Sequence, residues 1–238
     1  MTRGIVVLDA AGTLVEVAGS VGSAYAAIAR QQGARIDPAS VERGFARAMA
    51  AAPPLAFGDQ SPEEREVASR RWWRAVASAA LAEAGDLPDD FDVPAFFDRA
   101  WERFSRPGAW RLYPDVRPAL RALRAQGRPL AVFSNWDHRL ETLLSGLGLR
   151  GWFCRVLVSS ELPAAKPSRA AFAAAARALP VLEPAAPPIM VGDRLDHDVQ
   201  PALAAGWRAV WLDRAGRGGA PAGIGAVRDL RELDALLG

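Results

Sequence analysis

The stretch that decides the fold is Ile5-Val6-Val7-Leu8-Asp9-Ala10-Ala11-Gly12-Thr13-Leu14. Its first four residues are apolar without alternation, three of them β-branched, and they run into a carboxylate and then a glycine turn. An unbroken apolar run of this kind marks a strand buried on both faces, as parallel sheets require. Asp9 then falls at the carboxyl end of the strand, where open α/β sheets hold their ligands. A carboxylate there, beside a glycine that lets the backbone come close, points to a nucleophile or a metal ligand. The plain alternative is an aspartate that merely ends a strand, and the rest of the chain decides between the two.

Beyond Tyr113-Pro114 the pattern alternates between helix and strand. A helix over 116–126 closes at Gly127, and a strand over 129–133 ends at Ser134-Asn135. A helix over 139–147 follows, then a strand over 155–158, and Lys166-Pro167-Ser168 opens an alanine-rich helix. A strand over 188–191 ends at Gly192-Asp193, a helix spans about 199–205, a fifth strand spans 209–212, and a glycine-rich loop leads to a last helix from about 227 to 237. Strands alternating with helices argue for right-handed βαβ units and a parallel sheet. The expected architecture is α/β: a Rossmann-like core with a five-stranded parallel sheet, formed by residues 1–14 and 108–238.

Residues 15–107 read differently, as an inserted all-helical domain of about four helices. Helical composition covers 23–32, 39–51, 62–84 and 93–104, with breaks at Gly33, Pro53-Pro54 and 85–88. Ser61-Pro62-Glu63-Glu64 and Asp37-Pro38 have the form of helix starts. Trp72, Trp73 and Trp101 are expected to pack inside this insertion rather than to touch a ligand.

Composition narrows the function classes. Of 238 residues, 50% are hydrophobic and 24% charged, enough to build a core and too ordered a mixture for a disordered chain. No apolar run reaches the roughly 18 residues that span a bilayer, and the first residues lack a signal-peptide layout, so a cytoplasmic protein with no membrane partner is expected. A single cysteine, Cys154, rules out an internal disulfide and a thiolate metal cluster. The formal charge is only +2, and the arginines are dispersed without interleaved aromatics, which argues against nucleic acid as a partner. Lys166 is the one lysine among 29 basic residues, as though a compact ammonium were needed at that position.

Polar groups thus gather at what should be one edge of one sheet: Asp9, Ser134-Asn135, Lys166, and Asp193 with Asp198. Together they suit the chemistry of an anionic ester. The acids can hold a hard divalent cation such as Mg²⁺ through oxygen ligands. The cation and the lysine can neutralise phosphoryl oxygens, and Ser134 can donate a hydrogen bond to one.

In these motifs the chain resembles the haloacid dehalogenase (HAD) superfamily, in its subclass with an α-helical cap. Residues 8–14 are similar to the first motif, Phe133-Ser134-Asn135 to the second, Lys166-Pro167 to the third, and residues 191–198 to the fourth in its GD-x4-D form. The resemblance implies that Asp9 attacks phosphorus and forms an aspartyl-phosphate that water hydrolyses. It implies that Asp9, the backbone carbonyl of Ala11, Asp193 and Asp198 surround Mg²⁺, with Asp196 a neighbouring alternative to Asp198. Ser134 would bind the phosphoryl group with Asn135 and the Gly12–Thr13 backbone nearby, and Lys166 would screen the charge. His138 and His197 read as surface or supporting residues. The implied substrate is a small phosphorylated metabolite; oligomeric state is open, a monomer being the default.

The departure from the pattern is Ala11. Phosphatases of this superfamily usually carry a second aspartate there, which protonates the leaving alkoxide and then activates water. General acid–base groups typically contribute about 10²–10⁴-fold. A phosphatase acting on good leaving groups tolerates alanine, with a carboxylate of the insertion or Glu16 as stand-ins. A 2-haloacid dehalogenase also tolerates it, since halide leaves without a proton, but such enzymes need no metal, and their fourth motif resembles S-S-N rather than Gly192-Asp193. A phosphonoacetaldehyde hydrolase needs a Schiff-base lysine, and residues 15–107 contain none. The remaining reading is a HAD-fold protein that binds a phosphorylated ligand or partner with little catalysis.

Overall fold

A computed structural model describes residues 4–85, 87–181 and 186–237. In chain order it contains β1 (Val6–Leu8), β2 (Val15–Val17), α1 (Val21–Arg30), α2 (Pro38–Ala51), α3 (Pro62–Ala82), α4 (Val93–Ser105), β3 (Trp110–Leu112) and α5 (Val116–Ala125). There follow β4 (Leu130–Ser134), α6 (Arg139–Gly146), β5 (Arg155–Val158), α7 (Arg169–Ala178), β6 (Ile189–Gly192), a π-helical turn (Leu195–Val199), α8 (Gln200–Ala204), β7 (Arg208–Leu212), β8 (Gly225–Val227) and α9 (Leu233–Leu237). Among the described residues, no helix is long and apolar enough to cross a membrane.

The chain divides into two compact units. One comprises residues 1–16, 55–61 and 112–238; the other comprises 17–54 and 62–111. In the first, the strands form a parallel sheet in the order β5-β4-β1-β6-β7-β8. The sheet has six strands where the sequence led us to expect five. The sixth, β8, pairs Gly225–Val227 with Val210–Leu212. It is too short and too glycine-rich to announce itself as a strand. It also shortens the final helix expected from residue 227: Asp229 opens a capping box with Glu232, and α9 starts only at Leu233.

β1 is a central strand with no exposed side chain, and the period of two explains why its pattern does not alternate. Ile5 and Val7 face a cluster with Phe133, Met190, Phe172 and Trp207, while Val6 and Leu8 point to the opposite face and are equally buried. Phe172 of α7 stands edge-on to Phe133 and to Trp207, at 5.4 Å in each case. Truncating such a ring to alanine costs about 3–5 kcal/mol. The register sets Leu8 between Val132 and Val191, so the chain leaves β1, β4 and β6 at one edge. From β1 the path goes to β4 on one side, and from β6 to β7 on the other. The β1/β6 boundary is therefore a topological switch point, the crevice where open sheets bind ligands.

The second unit has its own core. Tyr25 of α1 lies edge-on to Phe96 of α4 at 5.1 Å, with Ile28, Val41, Leu81 and Phe97 around them. Ser20, Asp37 and Asp92 cap α1, α2 and α4 through their side chains. Trp73 and Trp101 pack against this core, whereas Trp72 stacks edge-on to Trp73 and donates from its indole to the Pro53 carbonyl at 2.7 Å. Residues 55–61, expected within the helical insertion of 15–107, fall instead in the unit with the sheet. There Phe57 and Gly58 donate N–H bonds to the carbonyls of Ser160 and Leu162, and the Ser159 hydroxyl donates to the Leu55 carbonyl.

Candidate active site

The fold brings Asp9, Lys166, Asp193 and Asp198 together at the carboxyl edge. Asp9 continues β1, and its N–H donates to the Val191 carbonyl at 2.9 Å, which locks it beside the end of β6. Asp193 follows β6 directly. Asp198 sits on the π-helical turn, where its Oδ2 accepts the Arg194 N–H at 3.1 Å. Gly192 is required by this arrangement: a Cβ there would overlap the Asp198 carboxylate. Gly12 is required twice over, by a φ of +78° and because a Cβ would lie 2.6 Å from an Asp193 oxygen.

The Lys166 ammonium donates to Asp9 Oδ1 at 2.8 Å and also to Asp198 Oδ1, and all three side chains are nearly inaccessible. Its main chain is held by Asn135, whose side-chain amide donates to the Lys166 carbonyl at 2.8 Å and whose oxygen accepts the Lys166 N–H at 2.9 Å. Asn135 is thus committed to placing the lysine. Ser134, the last residue of β4, is 3% exposed on the same edge. The N–H groups of Gly12 and Thr13 are used inside the turn, by the carbonyls of Val15 at 2.9 Å and Ala10 at 3.3 Å. Ala11 presents only its methyl group, exposed at the tip of that turn. Asp196 faces outward in a bidentate pair with Arg194, away from the acid cluster, and His138 is exposed at the start of α6. Glu16 hydrogen bonds with the Tyr113 hydroxyl.

Electrostatics set these acids apart. One oxygen each from Asp9, Asp193 and Asp198 lies within 4.8 Å of the others. Burial, and then the charges of Asp9 and Asp198, push the Asp193 carboxyl up to about 7. Burial likewise raises Asp198, against the pull of Lys166. Burial works against the Lys166 charge, but the carboxylates of Asp198 and Asp9 outweigh it and hold the ammonium protonated. Three carboxylates thus face one ammonium, and the surplus negative charge fits a divalent cation bound through oxygen.

Sequence reasoning missed the groups that brace this site. Arg214 donates to the carbonyls of Gly12 and Thr13, and the Trp211 indole donates to the Asp193 carbonyl at 3.1 Å. Asp137 and Arg139 form a buried bidentate pair just beyond Ser134-Asn135.

Comparisons with known proteins point to one family. Residues 4–206 match the haloacid dehalogenase-like hydrolase family. The chain is 34% identical over 201 residues to haloacid dehalogenase-like hydrolase domain-containing protein 3 of Mus musculus, covering 83% of this chain and 77% of that protein. It is 36% identical over 163 residues to a phosphoserine phosphatase of Thermus thermophilus, covering 66% and 62%. Its fold superposes on that of L-2-haloacid dehalogenase from Xanthobacter autotrophicus with a TM-score of 0.68, at 18% identity, over 99% of this chain and 98% of the other. With its four strand-edge motifs and a match across most of its length, this chain belongs to the haloacid dehalogenase-like hydrolases.

Proposed function

We propose that this hydrolase is a Mg²⁺-dependent phosphatase of small phosphorylated metabolites, working through a covalent phosphoaspartyl on Asp9. The observation that carries this reading is the surplus of buried acid around one lysine, with Asp193 pushed up to about 7. A dehalogenase has no use for such a cation site. The similarity to a phosphoserine phosphatase supports the same reading.

In this reading Asp9, Asp193, Asp198 and the Ala11 carbonyl would hold the cation, which would neutralise phosphoryl oxygens. Lys166 orients Asp9 through its bond to Oδ1. A carboxylate oxygen of Asp9 attacks phosphorus, and the bond to the ester oxygen breaks. Water then cleaves the acyl phosphate, which releases inorganic phosphate and restores the carboxylate. Ser134 donates a hydrogen bond to the phosphoryl group, and Lys166 offsets its charge as it transfers.

Ala11 cannot protonate a leaving alkoxide, so turnover should depend steeply on the leaving group. The test is phosphate release from p-nitrophenyl phosphate with Mg²⁺ and then with excess chelator, beside an alkyl phosphate. We expect chelator-sensitive release, about 10²-fold or more faster for the activated ester. No release from p-nitrophenyl phosphate would sink the reading. The methyl group at Ala11 favours one alternative, a 2-haloacid dehalogenase, for which chloride release from 2-chloropropionate is the positive result.

A further inference from the structure

The turn that carries Ala11 is gripped from outside by an arginine with no part in the chemistry above. Just beyond β7, Arg214 donates from Nε to the Gly12 carbonyl at 3.1 Å and from Nη2 to the Thr13 carbonyl at 2.7 Å. Its Nη1 donates to Asp115 Oδ2 at 2.8 Å, and its plane lies over the Tyr113 ring at 3.8 Å. Asp115 is itself fixed, since the same oxygen accepts the Leu230 N–H at 2.7 Å. Each of the three guanidinium nitrogens therefore donates one hydrogen bond, and two of them are directed at successive backbone carbonyls. A planar fork can span this pair of acceptors and a carboxylate at once; an ammonium cannot.

Those carbonyls belong to the residues that set the distance between two acids. Gly12 lies against the Asp193 carboxylate so closely that a single added carbon would collide with it. On the far side, the Asp193 carbonyl accepts from the Trp211 indole at 3.1 Å and from Arg217 at 3.4 Å. The stretch 211–217 thus holds both the Asp9 turn and the Asp193 turn. We propose that Arg214 is a positioning residue, which fixes the Gly12–Thr13 turn so that Asp9, the Ala11 carbonyl and Asp193 keep the spacing that binds the divalent cation. This rests on the cation site proposed above. Groups that support metal ligands in this way typically contribute about 10–100-fold to metal affinity or activity.

The test is calorimetric titration of Mg²⁺ into the wild type, Arg214→Lys and Arg214→Gln, each checked for folding by circular dichroism. Initial rates on p-nitrophenyl phosphate are measured across Mg²⁺ concentrations. We expect about tenfold or greater loss of Mg²⁺ affinity in both variants, with kcat partly restored at saturating Mg²⁺. A purely structural role would lower the melting temperature and leave Mg²⁺ affinity alone. If Arg214→Gln fails to fold, Arg214→Lys, which keeps a charge opposite Asp115, carries the comparison. Unchanged affinity in a folded variant, beside a wild type that binds Mg²⁺, overturns the role of Arg214 and leaves the phosphatase reading standing. A wild type that takes up no Mg²⁺ overturns both.

Discussion

Two groups of buried charge lie within a few residues of the same sheet edge, and they are built on opposite principles. Asp137 and Arg139 balance one to one through a bidentate contact at 2.9 and 2.7 Å. Burial alone would raise the Asp137 carboxyl, but the hydrogen bonds and charge of Arg139 outweigh it and hold it below its ordinary value. The other group sets Asp9, Asp193 and Asp198 around Lys166. There burial and mutual repulsion lift Asp193 to about 7. A balanced pair stabilises the loop it sits in and asks for nothing further. An unbalanced cluster stores unfavourable energy that a ligand can relieve, which is how a binding site differs from a brace.

Removing one carboxylate from each group should separate them most sharply. Asp9→Asn leaves Lys166 paired with Asp198, so the protein should fold and melt near the wild-type temperature. Turnover of p-nitrophenyl phosphate should fall by about 10⁴-fold or to nothing, because the nucleophile is gone. Activity that survives in Asp9→Asn would remove Asp9 from the chemistry.

Smaller effects, of opposite sign, are expected on stability. Asp137→Asn strips Arg139 of its bidentate partner and should destabilise by about 3–5 kcal/mol in urea unfolding. Asp193→Asn relieves repulsion, and at pH 8 should raise the melting temperature of the metal-free protein by about 2–4 °C for each kcal/mol recovered. If both substitutions destabilise alike, the contrast between brace and site fails.

The smallest effect is in pH. The folded-state value of Asp193 lies above its ordinary 3.8, so its charged form costs stability increasingly as pH rises toward about 7. Cation binding needs that charged form, and a proton competes for it below about 7. Added Mg²⁺ should therefore raise the melting temperature more at pH 8 than at pH 6. For Asp137 the sign is reversed: its contribution is complete above the ordinary carboxylate range and is lost only as pH falls through its lowered value.

Much of this was legible in the sequence because buried strands and strand-end acids leave local signatures. β1 and β4 to β7 appear as apolar runs, and Asp9, Ser134, Lys166 and Asp193 stand at or after their ends. Asp198 was legible by its spacing from Asp193, although Asp196 competed for the same place until the turn directed it outward. What stayed hidden has no local signature. β8 is three residues recruited by pairing with β7, and residues 55–61 join the sheet unit through hydrogen bonds to Ser159–Leu162. Arg214 is one arginine among many, and only the distant carbonyls of Gly12 and Thr13 distinguish it. The single lysine was informative for the opposite reason, since its rarity drew attention that no arginine could.

The central place of β1 has a consequence for how the molecule loses activity. β1 is paired along its length on both sides, whereas β5 and β8 end the sheet with one partner each. Backbone amides at such edges exchange with solvent through small local openings, while those of a doubly paired central strand exchange only when most of the sheet comes apart. The Asp9 N–H, bonded to Val191, belongs to that last group. Heat inactivation of this chain therefore reports on cooperative unfolding of the sheet, and deuterium should enter the amides around Asp9 no faster than the molecule as a whole unfolds.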